Sequence, residues 1–202
     1  MHILGENMKK IPGNLPKEKP YITYEELSSE GISSRGINKL LEEGVLYKIK
    51  RGIYEVSESA DAEPVMIGRL LPEGIFCLMS ALYFHGYTDR TPQIYEIAID
   101  RDANKRKVLS INYPVKPVYI SRKILHIGRT KKKYDNGEIV LYDKERTICD
   151  IVRYRNKIDK EVLAKALRSY ASDPEKDIRK LLAYASMLRI ESKIREYMGI
   201  LL

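Results

Sequence analysis

Apolar positions recur at helical spacing in some stretches of this 202-residue chain and at strand spacing in others. Ile3, Leu4, Met8 and Ile11 predict a short amphipathic helix, halted by the Pro- and Gly-rich residues 11–20. Thr23, with Glu26 three positions on, fits a capping box that opens a helix closing at Gly31. Ser33 caps a second helix with Ile37, Leu40 and Leu41 on one face, and Gly44 supplies its left-handed stop. Residues 46–49 and 53–56 read as short strands around a Lys50-Arg51-Gly52 tip. Residues 57–63 are small, polar and acidic, so a first domain over 1–58 is expected to end there.

The pattern changes at Pro64, where a second domain over 64–202 is expected to begin. Residues 65–71 and 75–85 predict helices separated by Pro72-Glu73-Gly74. Residues 94–99, 115–121 and 124–130 read as strands, and Asn136-Gly137 marks a tight turn before a strand at 138–142. Everything beyond Asp143 is helical in pattern, with Asp143 or Thr147 as the first cap. Asp159 caps a helix whose inner face is Val162, Leu163, Ala166, Leu167 and Tyr170. Asp173-Pro174 opens another with Ile178, Leu181, Leu182 and Ala185, and a last helix covers 190–201. The expected fold class is α+β: a winged helix-turn-helix, then an α+β domain with a small sheet and a helical tail.

Charge sharpens the picture. Lys plus Arg number 36 against 28 Asp plus Glu, a formal net charge of +8 that points to a polyanionic partner, nucleic acid first. Residues 1–60 hold nine of each sign, so the whole excess lies beyond them. Two cysteines exclude a disulfide framework, and three histidines at 2, 85 and 126 suggest no metal motif. The longest charge-free run, residues 74–88, is shorter than the ~20 residues a membrane-spanning helix needs. Residues 1–10 lack a secretory core, so a cytoplasmic protein is expected.

In the helix-turn-helix reading, Ser33, Ser34, Arg35, Asn38 and Lys39 occupy the first turns of the helix that enters a major groove. Arg35 and Asn38 can bond base edges in bidentate fashion, while the serines and Lys39 suit phosphates. Lys48, Lys50 and Arg51 supply a basic wing, with Tyr47 or Tyr54 packing beneath it. The balanced charge of residues 1–60 also fits a DNA-inert interaction module. In the second domain, residues 101–133 carry eleven cations and one acid, Asp102. Lys105, Arg106, Lys107, Arg122, Lys123, Arg129, Lys131, Lys132 and Lys133, joined by Arg153 and Arg155, would make a basic face for DNA or RNA phosphates; the alternative is a solvated loop.

Catalytic constellations are weak. Ser80 and His85, five apart on one helix, are poorly placed as nucleophile and base, and Asp89 completes no triad. His85-Gly86 reads better as a helix end. Glu96, Asp100 and Lys105 raise a metal-dependent DNA nuclease as an alternative function. Glu145, Arg146 and Asp150 read as a structural group, and Cys77 and Cys149 as small core residues. No catalytic residue, metal ligand or cofactor is assigned.

Three ordered motifs carry a family resemblance. Gly31-Ile32-Ser33 with the run from Leu40 through Gly44-Val45-Leu46 to Arg51-Gly52-Ile53-Tyr54 resembles the amino-terminal domain of AbiEi-type antitoxins. Residues 77–92, with Ser80-Ala81-Leu82 and His85-Gly86-Tyr87-Thr88, resemble a second segment of that family, and Glu145-Arg146-Thr147 to Asp150 a third. The resemblance spans residues 21–170. It implies the antitoxin of a type IV toxin–antitoxin, or abortive-infection, system used in phage defence. Such a protein would repress its own operon by binding inverted repeats through the winged helix. It would neutralise a nucleotidyltransferase toxin through the second domain without a stable complex. A monomer that pairs on double-stranded DNA is expected, with no membrane partner. A stand-alone winged-helix regulator without a toxin is the alternative.

Overall fold

A computed structural model describes residues 21–56, 62–104, 106, 108 and 110–199. The helix expected around Ile3–Ile11, most of the expected linker, and Lys105 and Lys107 lie outside the described residues. The chain opens with β1 (Ile22–Thr23), α1 (Tyr24–Ser29), α2 (Ser34–Glu42), β2 (Leu46–Lys50) and β3 (Ile53–Val56). The strands form an antiparallel sheet in the order β1-β3-β2. Ile22, Leu27, Ile37, Leu40, Val45, Leu46, Tyr54 and Val56 close a small core beneath the helices. Helical spacing on α1 and α2, and alternation on the strands, bring these residues together.

Next come α3 (Glu63–Leu70), β4 (Ile75–Phe76), α4 (Leu78–His85), β5 (Tyr95–Asp100), β6 (Val115–Ile120), α5 (Arg122–Leu125), β7 (Arg129–Tyr134) and β8 (Gly137–Tyr142). The five strands make a mixed sheet, ordered β6-β5-β4-β8-β7. Strands β5 and β6 run parallel, so residues 101–114 must travel back along the sheet between them. The helices α6 (Lys144–Arg153), α7 (Lys160–Ala171), α8 (Ile178–Met187) and α9 (Glu191–Met198) complete the described chain. Alternation splits the sheet's side chains between two cores. Ile75, Ala98, Ile120 and Tyr142 join Ile148, Val152, Leu167 and Leu181 of the carboxy-terminal helices. Phe76, Ile97, Ile99, Ile139 and Leu141 face α3, Val108 and Ile111 instead. The architecture is α+β.

Four local expectations need correction. Ile75–Phe76 is not helical: both residues are buried at the centre of the sheet, and the helix starts only after Cys77. Residues 124–128 are not a strand, because α5 occupies their start and Gly128, at φ +75°, turns the chain into β7, which begins at Arg129. Helix α8 opens at Asp177, whose carboxylate accepts from Lys180 N, four residues after the expected Asp173. Tyr134 pairs with Gly137, so the hairpin turns on Asp135-Asn136, one residue earlier than expected.

Candidate nucleic-acid interface

The geometry of the helix pair follows from its caps. Thr23 Oγ1 accepts from Glu26 N at 3.2 Å, and Glu26 Oε2 accepts from Thr23 N at 2.8 Å. Gly31, at φ +80°, makes the turn that only glycine enters without strain. Ser33 Oγ accepts from Gly36 N at 3.2 Å, and Ser34 Oγ bonds the Tyr24 hydroxyl at 2.9 Å, tying α2 to α1. Both serine hydroxyls are therefore engaged within the protein. Ile37 and Leu40 face inward, leaving Arg35, Asn38 and Lys39 exposed on the outer face. Lys39 lies 3.8 Å from Glu43, an exposed pair worth little in water.

The hairpin beside this helix turns at Gly52, φ +75°. Its register slips between Lys48 and Lys50, a bulge at Ile49. The bulge has a consequence across the molecule. Ile49, 2% exposed, packs with Val65, Leu70 and Ile111 rather than with the core of its own sheet. The backbone N–H of Asn112 donates to the Ile49 carbonyl, and Asn112 Nδ2 donates to the Lys48 carbonyl at 3.1 Å. The Tyr113 hydroxyl donates to Glu55 Oε2 at 3.0 Å. Tyr54 is buried beneath the hairpin as expected, but Tyr47 is 54% exposed: it lies on the strand's outer face. Lys48 and Arg51 are exposed and Lys50 half-buried, and the three line a cleft with Ser110 and Asn112. Sequence reasoning missed Asn112 and Tyr113, since a contact between positions 64 residues apart leaves no local signal.

The basic stretch is divided. Arg106 and Lys123 are exposed, and Arg122 lines a cavity of about 390 Å³ with Gly74, Asp100 and His126. Arg129, Lys131, Lys132 and Lys133 lie on β7, the opposite edge strand from β6. The two edges stand roughly 19 Å apart at ~4.8 Å per strand. Lys131 pairs with Glu138 at 2.6 Å, and Lys132 Nζ donates to the Phe84 carbonyl. Arg153 is exposed near the end of α6, and Arg155 Nη1 donates to the Val152 carbonyl at 3.2 Å. Thus the described cations of the expected face reach separate parts of the surface.

The other marked residues hold the fold together. Ser80 Oγ accepts from Glu96 N at 2.8 Å, His85 Nε2 bonds the Tyr142 carbonyl at 2.7 Å, and Asp89 pairs with Lys165. Burial lowers the His85 pKa, against the opposing bond to Tyr142. Thr147 Oγ1 donates to the same carbonyl at 3.3 Å, so the second and third motifs meet there. Glu96 is taken by Met79 N and by Lys116, and Asp100 accepts from Asp102 N. Arg146 is fully buried, 3.0 Å from Asp150, donating also to the Ile124 and Ile127 carbonyls, with Tyr142's ring 4.1 Å away. Burial raises the Asp150 carboxyl while Arg146 opposes it. Glu145 accepts from the Tyr170 hydroxyl and from Asp177 N. Cys77 and Cys149 are buried; burial pushes the Cys149 thiol up to about 12, far from a reactive thiolate. Among the described residues, no three His, Cys, Asp or Glu side chains group as metal ligands.

Residues 14–57, which include the helix pair and hairpin, match the model of a family described as a transcriptional regulator, AbiEi antitoxin. Over this segment the chain is similar to the AbiEi antitoxin regulators. That description names a regulator and an antitoxin. Among solved structures, the crystal structure of the RV2827C protein from Mycobacterium tuberculosis resembles this chain with a TM-score of 0.60 at 14% identity. The likeness covers 90% of this chain and 76% of that one, and it shows a shared α+β fold. No curated protein matches. No helix among the described residues is long and apolar enough to cross a membrane.

Proposed function

We propose that this protein is the antitoxin of a type IV toxin–antitoxin system, a repressor of its own operon and the neutraliser of a nucleotidyltransferase toxin. One coincidence carries the reading: the AbiEi family match falls on the segment that holds two capped helices and a hairpin with a cationic tip. In this reading residues 21–56 are a winged helix-turn-helix, within a DNA-binding domain over 1–58. Arg35 and Asn38 read base edges in the major groove, while Lys48, Lys50 and Arg51 hold backbone phosphates on one flank. Ser33 and Ser34 support the helix's entry by capping it and tying it to α1. Lys39 adds charge that Glu43 partly offsets. A monomer pairs on inverted repeats, each copy covering one half-site. The α+β domain over 64–202 carries toxin neutralisation, with no stable complex between the two proteins. Arg106, Arg122, Lys123 and the β7 cations offer separate basic patches there.

A reporter fused to the DNA upstream of this gene tests the first half. The full chain represses it, and Arg35→Ala relieves repression at equal protein level. Reading the adjacent frame for a nucleotidyltransferase, and co-expressing that protein with this chain, tests the second half. The full chain restores growth. Repression without protection would leave a stand-alone regulator, and protection without repression an antitoxin that does not control its operon.

A further inference from the structure

Cations from the hairpin converge where it meets the second domain. Lys48, Lys50 and Arg51 share a cleft of about 470 Å³ with Ser110 and Asn112, and none of the five is acidic. Three like charges facing one hollow repel one another, and an anion seated among them removes that cost. The hollow exists because β2 is bulged and docked. The bulge turns Ile49 into the second domain's core, and Asn112 holds the Ile49 and Lys48 carbonyls. Strand β2 is the outer strand of its sheet, so Asn112 also pairs carbonyls that would otherwise face solvent.

We propose that this cleft seats a backbone phosphate of duplex DNA, and that Asn112 is a positioning residue that sets the hairpin's grip. The proposal rests on the DNA-binding reading above and extends it, because it makes residues 110–112 of the second domain part of the DNA contact. Lys48, Lys50 and Arg51 supply charge, and Asn112 fixes the backbone that carries them. A phosphate is the anion that suits three donors on a shallow, open hollow, since its several oxygens accept from all of them at once.

The test measures binding of the full chain to a mixed-sequence DNA duplex by fluorescence anisotropy across a salt series. Withdrawing one cation from a phosphate lowers the slope of log affinity against log salt by about 0.9. Lys50→Gln, a change at a half-buried surface position, is expected to lower the slope by about that amount. Asn112→Ala lowers both affinity and slope, and Asn112→Asp loses more, because it removes the Nδ2 donor and sets a negative charge beside the phosphate. A purely structural role for Asn112 would lower affinity and leave the slope unchanged, and that result overturns its assignment. Lys160→Gln, at an exposed cation on α7, is expected to change neither quantity. If Asn112→Ala melts early, the Lys50→Gln slope decides the seat. Unchanged slopes for both variants, with Arg35→Ala still weakening operator binding, would overturn the seat and the hairpin's phosphate contacts and leave base readout by α2 standing. A lower slope for Lys50→Gln alone, with Asn112→Ala stably folded, would leave the hairpin's phosphate contact and overturn the part of Asn112 in it. Absence of duplex binding by the wild-type chain at low salt would overturn both.

Discussion

At the scale of single residues, buried charge and left-handed backbone decide what can change. Arg146 and Asp150 form a fully buried pair whose Nη2 and Oδ1 atoms have no hydrogen-bond partner among the described residues. Removing one partner strands the other charge. Arg146→Met is expected to cost about 3–5 kcal/mol, and Arg146→Met with Asp150→Leu less than the single change, measured by urea unfolding. Equal costs would show that the pair is not what couples them. Two glycines with similar backbone separate strain from collision. Gly31, at φ +80°, has nothing within 4 Å of an added Cβ, so Gly31→Ala should cost only about 1–2 kcal/mol of strain. An added Cβ at Gly128, φ +75°, would collide with Cβ of Arg146 and reach Asp143 Oδ1 at 3.1 Å. Gly128→Ala should therefore destabilise the protein by clearly more than Gly31→Ala in the same assay. Cysteine burial and the Thr23, Ser33 and Asp159 caps were legible from sequence, because each depends on neighbours a few positions away, and Asp143 was one of two candidates for its cap.

Among elements, polar bonds tie the carboxy-terminal helices to the segment that follows α4. Asp173 accepts from the Tyr87 hydroxyl at 2.6 Å and pairs with Lys144 at 2.8 Å, so the segment after α4 is tied to α6 and to the loop after α7. Burial works to raise the Asp173 pKa, but its bonds to Lys144, Tyr87 and the Glu175 backbone outweigh it and hold it down at about 2. A depressed carboxylate stabilises the fold fully above its unfolded pKa of about 3.9, and that stability is lost as pH falls toward 2. Lys144→Met and Tyr87→Phe should therefore flatten the fall in melting temperature between pH 4 and pH 2. An unchanged acid slope would remove Asp173 from the linkage. The elements legible in sequence were those with strong periodicity, such as α2 and α7. β4 was read as helix because two buried residues carry no period, and only the sheet's need for a central strand makes them extended. β1 was missed for the same reason. On β7, exposed lysines on an edge strand hinder pairing with a second sheet, so charge there also guards the edge.

Across the whole molecule, the hairpin belongs to two neighbourhoods at once. Its strand β3 pairs with β1, while Ile49 and Ile53 pack with residues of α3 and the five-stranded sheet. No sequence pattern announced this, since an apolar residue on a strand looks the same whichever core it enters. Shared burial couples the two parts, so the full chain is expected to unfold in urea as one transition, with both parts melting together. Ile49→Ala should lower the midpoint by removing about 2–4 kcal/mol. Two separated transitions in the wild-type chain would show independent domains. In the proposed function the exposed face of α2, flanked by the cationic hairpin, reads the DNA of its own operon. The most direct measurement is a mobility-shift titration of the full chain and Arg35→Ala against the upstream DNA and single-base variants of it. Sequence-specific binding is expected, with Arg35→Ala losing about 1–3 kcal/mol and its preference at one base position. Unchanged affinity and unchanged preference in Arg35→Ala would contradict the claim.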